Sequence, residues 1–158
     1  MAPELFELPR STTGFGVDNP PHMIDERHDA FVTWARALAA SMQSPLHELE
    51  RSERLPSFDT VLVERTDRWL LHNRFVPLVG VLAMPPEPGP SWAVAGDFVD
   101  ITIPQHAIGW GPRILSAETL NAPLDPTADL AHFLPSAIDQ ADRYKPTTIG
   151  HVVFNYWT

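Results

Sequence analysis

The residues that could carry out chemistry in this chain are histidine, aspartate, glutamate and arginine. There is no cysteine, and Lys145 is the only lysine among 11 Lys and Arg residues. The missing cysteine excludes disulfides, thiolate nucleophiles, iron–sulfur clusters and cysteine-ligated zinc. The sequence also contains no GxSxG elbow, no P-loop and no Rossmann glycine pattern, so it does not support serine nucleophiles or nucleotide chemistry. Any reaction must therefore use acid–base or electrostatic properties of the remaining polar residues.

His72, Arg74, Asp100 and Thr102 fall on one face of a predicted antiparallel sheet. The proline-rich turn at 85–91, if symmetric about its centre, places Arg74 opposite Thr102. Because side chains alternate between the two faces of a strand, His72 and Asp100 lie on the same side as Arg74. The pairing therefore predicts a histidine, an aspartate and an arginine close together.

A histidine beside an aspartate and an arginine can carry out acid–base catalysis. Asp100 would orient the imidazole of His72 and raise its pKa, so that His72 acts as the general acid or base. Arg74 would hold an anionic group of the substrate, and Thr102 would contact it. The remaining residues of this face are apolar, as in small-molecule pockets: Val61, Val63, Leu70, Val76 and Phe98. Alternatively, the face is solvated, and Arg74 and Asp100 form a cross-strand pair that contributes little.

His28 lies on the apolar stripe of an amphipathic helix that is predicted to begin near Met23. The stripe recurs every three or four residues, as the core-facing side of a helix does: Ile24, His28, Phe31, Ala35, Leu38 and Met42. If this helix covers the polar face of the sheet, the imidazole of His28 points into the pocket and becomes a further catalytic group. Otherwise His28 is an ordinary half-buried histidine.

A glycine-containing segment at 104–113 could lie over a bound ligand. It contains His106, Trp110 and Arg113, with glycines on both sides of the tryptophan. We expect these three residues to contact the substrate, since loops that cover ligands commonly hinge on glycine. The alternative is a tryptophan that fills the core while the glycines make turns.

Histidine and acidic residues also cluster at the start of the predicted helix. His22, Asp25, Glu26 and Asp29 share one side of it, where a metal ion is sterically compatible. No named metal-binding spacing is present, and the helix dipole already favours acidic residues in a first turn. We therefore expect no metal site and no cofactor.

The predicted sheet is a three-stranded meander. Strands are expected over 60–65, over 68–84 with a kink at Pro77, and over 92–103. A two-residue turn at 66–67 joins the first two strands and places Val61 opposite His72 and Val63 opposite Leu70. The second face of the meander is an ordinary core face: Leu62, Trp69, Leu71, Phe75, Val99, Ile101 and Ile103.

Helical segments are predicted along the chain both before and after the strands. Pro45 ends the first helix, and 46–54 could add a short polar helix. Asp125 precedes a proline, the pattern of an N-cap followed by the first helical position, and Pro135 should kink or split the helix that follows. The tail at 148–157 fits a helix or a strand, and we favour a helix.

These elements predict an α+β fold, in which a small antiparallel β-meander is packed by the N-terminal amphipathic helix and by C-terminal helices. The length of 158 residues suits a single core. Residues 1–22 are predicted to be an irregular N-terminal arm, and residues 23–158 to form the one α+β domain.

Charge and hydropathy restrict the class of partner. The formal net charge is −9 and the sequence has no run of Lys and Arg, so neither nucleic acid nor an anionic membrane is an expected partner. The first residues lack the apolar region of a signal peptide, and the longest apolar stretch, 75–86, is too short to span a bilayer. A cytoplasmic protein is the expectation.

Two functions remain open from the sequence. The first is a small-molecule-binding, cofactor-independent enzyme with His/Asp acid–base chemistry, of the lyase, isomerase or cyclase type, in a specialised metabolic pathway. The second is a non-catalytic acidic module, such as an inhibitor, an immunity-like protein or an adaptor, whose charge complements a basic protein partner. A homodimer is compatible with either function.

Overall fold

The computed structural model describes residues 6–15, 21–48, 57–103 and 111–157. An N-terminal helix, a mostly antiparallel sheet and several C-terminal helices make up an α+β fold, which confirms the expected fold class. The helices are α1 Pro21–Ser41, α2 Ala117–Asn121, α3 Pro126–Asp129, α4 Pro135–Tyr144 and α5 Ile149–Val153. The strands are β1 Leu46–Glu48, β2 Phe58–Val63, β3 Arg68–Asn73, β4 Leu78–Leu82 and β5 Arg113–Ile114.

The five strands form one sheet in the order β1-β2-β3-β4-β5. Each of the first four pairs antiparallel with its sequence neighbour, while β5 pairs parallel with β4. The two faces of this sheet bury two separate hydrophobic clusters. The sheet is therefore covered on both sides, and a polar side chain in its centre is removed from water on either face.

Helix α1 covers one face of the sheet. Its predicted apolar stripe is buried at Phe31, Ala35 and Leu38, where the spacing of three and four residues turns these side chains to the same side. They pack against alternate residues of the three central strands: Val61, Val63, Leu70, Val79 and Val81. This is the face for which the sequence predicted the polar cluster.

The β2–β3 pairing differs from the predicted register by two residues. Val61 lies opposite Leu70 and not opposite His72. The cause is the connection, in which a 3₁₀ turn at Glu64–Thr66 and a left-handed Asp67 replace the expected two-residue turn. Because the shift is an even number of residues, each β3 side chain keeps its predicted face.

The predicted long strand over 68–84 is wrong, because the chain reverses within it and returns as β4. Asn73 makes the reversal: its Oδ1 accepts hydrogen bonds from the N–H groups of Phe75, at 2.8 Å, and Val76, at 3.1 Å. His72 then lies opposite Val79. An ordinary asparagine turn, and not a kink at the following proline, therefore shapes this hairpin.

The predicted strand over 92–103 is also wrong, since this stretch makes only isolated bridges in the described structure. Phe98 packs in the cluster on the side away from α1. Val99, Ile101 and Ile103 pack against the cluster on the α1 side. Both sets lie on the face opposite to the predicted one, because β4 occupies the sheet position that this stretch was expected to fill.

Other predicted elements compare more simply. Residues 46–48 form a strand and not the start of a polar helix, while 49–54 lie outside the described residues. Asp125 caps α3 through its side chain, and Pro135 begins α4, so the predicted helix is split in two. The tail contains α5, which confirms a helix over 149–153.

Part of the predicted arm packs against the domain. Residues 6–15 contain no helix or strand, but Leu8 is buried in the cluster away from α1. The carbonyl of Thr12 accepts a hydrogen bond of 2.9 Å from the amide of Asn73, at the end of β3. Within the described ranges, no helix has both the length and the apolar character needed to cross a membrane.

Candidate functional site

A buried carboxylate, that of Asp59, lies at the centre of a polar cluster between α1 and the sheet. Its Oδ2 is 2.9 Å from Nδ1 of His28 on α1, and its Oδ1 accepts a 3.0 Å hydrogen bond from Nε of Arg74, just after β3. Asp59 and Arg74 are each only 3% exposed. His72 lies directly opposite Asp59 on the neighbouring strand. We call His28, Asp59, His72 and Arg74 the polar cluster.

The burial of Asp59 depends on these partners. An isolated carboxylate in an apolar interior would lose several kcal/mol of hydration and would take up a proton instead. Here a guanidinium and an imidazole N–H each bond one oxygen, so both oxygens are compensated. Helix α1 is thereby tied to the sheet by a charged contact within an otherwise apolar interface.

The contact with Asp59 fixes the orientation of His28. An ionised carboxylate can only accept hydrogen bonds, so Nδ1 of His28, the ring nitrogen that faces it, must carry a hydrogen. When the ring is neutral, Nε2 then carries a lone pair and can take up a proton. The side chain of His28 is 18% exposed, whereas that of Asp59 is 3% exposed. The arrangement therefore has an oriented imidazole near the surface and a buried orienting carboxylate.

His72 is a second buried imidazole with a different environment. Its ring stacks on Phe31 of α1 with centroids 4.5 Å apart and planes inclined by 7°. The pKa of His72 is lowered to about 4, chiefly because the ring is buried; the charge of Asp59 opposes this change, and the charges of His28 and Arg27 add to it. His72 is therefore neutral near pH 7, where it donates or accepts hydrogen bonds without carrying charge.

The two ring nitrogens of His72 differ. Nδ1 is enclosed and has no hydrogen-bond partner. An unpaired buried N–H costs more than an unpaired ring lone pair, so the hydrogen belongs on Nε2. Nε2 is thus the donor that a molecule beside His72 could meet.

A cavity of about 410 Å³ opens beside His72, between α1 and the start of β5. Its lining combines aromatic and proline side chains with one guanidinium: Arg27, Ala30, Phe31, Trp34, His72, Pro77, Gly111 and Pro112. Volumes of about 300–1,000 Å³ are typical of ligand pockets. The cavity can therefore accommodate a small organic molecule.

A smaller and more polar depression of about 310 Å³ lies on the other flank of α1. His28 lines it, together with residues of α1 and one of β1: Asp29, Val32, Thr33, Arg36 and Glu48. Arg36 and Glu48 form an ion pair of 3.2 Å across its wall. The polar cluster thus lies between two openings, with His28 at one and His72 at the other.

Three of the residues predicted as site residues come together, and Asp100 does not join them. His28, His72 and Arg74 surround Asp59. Asp100 is exposed on an irregular segment, where its Oδ1 accepts a hydrogen bond from the N–H of Ala117 at the start of α2. The predicted His72–Asp100 pair is wrong, because β4 takes the sheet position expected for the 92–103 stretch.

The predicted substrate-binding residues lie apart from the polar cluster or outside the described chain. Thr102 is exposed on the same irregular segment as Asp100. Arg113 is on β5, with its guanidinium carbon 5.3 Å from the centre of the Phe6 ring. His106 and Trp110 lie outside the described residues. Arg74 is the exception, although its guanidinium is buried against Asp59 and not open to a substrate.

Asp59, Arg27 and Trp34 are not among the site residues predicted from the sequence. Asp59 could have been found by extending the β2 alternation back from Val61, which puts the carboxylate on the face that α1 covers. Arg27 and Trp34 flank the predicted stripe of α1, and only the position of β5 makes that flank a cavity wall. No local pattern gives that position.

The described part of the chain contains no candidate metal site. There, no group of three or more His, Cys, Asp or Glu side chains is arranged to hold an ion. His22, Asp25, Glu26 and Asp29 all lie in the first turns of α1. The helix start therefore supplies acidic residues without a ligand set.

Comparisons with known proteins give no relative. No protein-family model, no curated protein and no solved structure matches this chain. A functional assignment therefore rests on the chemistry of the polar cluster and of the two openings beside it.

Proposed function

We propose that this protein is a cofactor-independent enzyme that carries out acid–base chemistry on a small molecule, of the lyase, isomerase or cyclase type. The observation that carries the proposal is the 2.9 Å contact between His28 Nδ1 and Asp59 Oδ2. A buried carboxylate that orients an imidazole by one nitrogen leaves the other nitrogen for proton transfer. The substrate would lie in the depression that His28 lines.

Each member of the polar cluster has a distinct role in this proposal. His28 removes a proton from the substrate through Nε2 and returns one to the product, while its Nδ1–H stays bonded to Asp59. Asp59 positions His28 and stabilises the imidazolium that forms. Arg74 is a positioning residue, because its Nε donates a hydrogen bond to Asp59 and its buried guanidinium is not open to a substrate.

The experiment measures proton transfer on a panel of compounds, so the natural substrate need not be identified first. Small carbonyl compounds and carboxylic acids, each with an acidic C–H group, are incubated with the protein in D₂O, and deuterium incorporation is followed by proton NMR. We expect the protein to accelerate exchange in a subset of the panel. His28→Gln should abolish this acceleration, since glutamine can bond Asp59 but cannot relay a proton at neutral pH.

A matched control is available in His47. Its Nε2 also contacts a carboxylate, that of Glu64, at 3.0 Å, but both side chains are exposed. His47→Gln should leave exchange unchanged. The proposal is wrong if the two variants lose exchange equally, or if His28→Gln retains it in full.

A second candidate is the non-catalytic acidic module, which the exposure of Trp92 favours. Trp92 is 50% exposed on a surface turn of a chain with net charge −9. A large aromatic residue at such a position is typical of protein interfaces, and the negative charge suits a basic partner. This function predicts no proton exchange with any compound of the panel. It also predicts that Trp92→Ala loses binding to the partner and that His28→Gln keeps it.

A further inference from the structure

We propose that the cavity between α1 and β5 binds a planar aromatic carboxylate, whose anionic group faces Arg27 and the imidazole of His72 and whose ring lies against Trp34. The inference goes beyond the proposed enzyme function, because it concerns the opposite flank of α1 from the depression lined by His28. Binding in this cavity therefore does not require proton transfer by His28.

Arg27 supplies the positive charge in the cavity wall. One of its terminal nitrogens donates a long hydrogen bond, 3.4 Å, to the backbone carbonyl of Arg74. No carboxylate of the described residues lies within ion-pair distance of its guanidinium. The buried carboxylate of Asp59 is already bonded by Arg74 and His28. The remaining guanidinium hydrogens can thus bind an anion in the bidentate geometry that carboxylates favour.

His72 supplies a second donor without a second charge. Its side chain is buried, with only 3% of the residue exposed, and it lines the cavity. With Nδ1 enclosed and unpartnered, Nε2–H is the group that meets a bound molecule. Among the described residues that line the cavity, the side chains of Arg27, His72 and Trp34 can donate hydrogen bonds and none is a carboxylate, which favours an oxygen anion over a cation or an amine.

The walls select the rest of the ligand. Trp34 is mostly buried, yet it lines the cavity along with Phe31, Pro77 and Pro112. Gly111 packs against the indole so closely that a β-carbon at that position would overlap Cδ1 of Trp34. The indole is therefore held in place from one side, which leaves a flat wall of the kind that stacks on an aromatic ring.

The experiment compares three probes with the intact protein by isothermal titration calorimetry at physiological salt. The probes are indole-3-carboxylate, its neutral amide, and cyclohexanecarboxylate. Salt of about 0.15 M screens the overall negative charge beyond about 8 Å, so the result reports the local site. We expect the aromatic carboxylate to bind about tenfold more tightly than either of the others, since each lacks one of the two recognition features.

Two substitutions locate the binding. Arg27→Gln should weaken binding of indole-3-carboxylate by about tenfold and remove its preference over the amide. Arg36→Gln, on the same helix but lining the other depression, should have no effect. Trp34→Phe keeps an aromatic wall and should retain most of the affinity, while Trp34→Leu should lose it; circular dichroism checks that both variants are folded.

The inference is overturned if the amide binds as tightly as the carboxylate, or if Arg27→Gln and Arg36→Gln have equal effects. Binding by a His28→Gln variant separates this inference from the proposed function. Full affinity in that variant, with no proton exchange in the wild type, would support the cavity site and remove the enzyme proposal. Proton exchange by the wild type without binding of indole-3-carboxylate would support the enzyme proposal and remove the cavity site.

Discussion

Asp59 and His72 lie directly opposite each other on neighbouring strands, yet the Asp59 carboxylate bonds His28 of the covering helix and Arg74, while His72 Nδ1 has no partner. The two histidines of the polar cluster therefore have opposite environments. His28 is oriented by a charge and partly open to solvent, and His72 is buried against an aromatic ring and neutral. This division separates an imidazole suited to proton transfer from one suited to hydrogen bonding.

Asp59→Asn tests the buried charge at the centre of the cluster. The variant preserves the size of the side chain but leaves the Arg74 guanidinium buried without its counter-charge. We expect the free energy of unfolding to fall by about 3–5 kcal/mol, the usual cost of breaking a buried ion pair by removing one partner. Chemical denaturation at pH 7.5 measures the change.

Glu48→Gln is the matched control for this variant. Glu48 pairs with Arg36 at 3.2 Å, but the two side chains are 42% and 67% exposed. The same loss of charge should then change the free energy of unfolding by less than about 1 kcal/mol. Equal effects of the two substitutions would contradict the buried, charge-compensated state of Asp59.

His72 should make stability depend on pH between about 4 and 6.5. Its pKa is about 4 in the folded protein and 6.5 in the unfolded chain, so the unfolded state binds more protons in this window and stability falls as the pH falls. The contribution is fully present above pH 6.5, and by pH 4 the loss approaches roughly 3 kcal/mol, the free-energy equivalent of the shift. Denaturation at several pH values measures the slope.

His72→Phe should flatten that dependence. Phenylalanine cannot titrate and can keep the stacking contact with Phe31. His151 has a pKa that burial also lowers, so it contributes a slope of the same sign, and His151→Gln measures that part separately. An unchanged pH dependence in His72→Phe would show that His72 is not the group responsible.

The faces of the first two central strands could be predicted from the sequence although their register could not. Alternation alone assigns Val61, Leu70 and His72 to one face, and a shift of two residues preserves that assignment. Likewise the stripe of α1 indicated the buried side of the helix, including His28, independently of the sheet. Strand alternation and helical periodicity identify the buried face of an element because they depend only on residues close together in the sequence.

The position of β4, and of the 92–103 stretch that was expected in its place, could not be predicted in the same way. Whether the chain continues past Asn73 or reverses there depends on the two hydrogen bonds that Asn73 Oδ1 accepts from backbone N–H groups, which compete with an extended strand. Once the chain reverses, Val79 becomes the partner of His72, and Asp100 is excluded from the sheet. The turn at Asn73 therefore excludes Asp100 from the cluster, while the β2–β3 pairing places Asp59 opposite His72.

The turn that carries Trp92 has a backbone conformation that is unfavourable for its residue types. Both central residues have left-handed backbone angles, with φ of 61° at Ser91 and 51° at Trp92. The flanking residues Pro88 and Val94 form an antiparallel bridge, so the turn closes a short hairpin. Turns with two such angles favour asparagine and glycine, and a bulky residue with positive φ is unfavourable.

Trp92→Gly should therefore stabilise the protein relative to Trp92→Ala by about 1 kcal/mol, the usual cost of a β-carbon at a left-handed position. Both variants lose the tilted ring contact with Tyr156 and keep the main-chain bond that the Trp92 carbonyl accepts from Tyr156. The comparison thus isolates the backbone angle, and thermal and chemical denaturation of the two variants measure it. Equal stability would mean that the turn relaxes to negative φ. A more stable glycine variant would mean that tryptophan occupies this position at a conformational cost, as expected for a residue that contacts a partner.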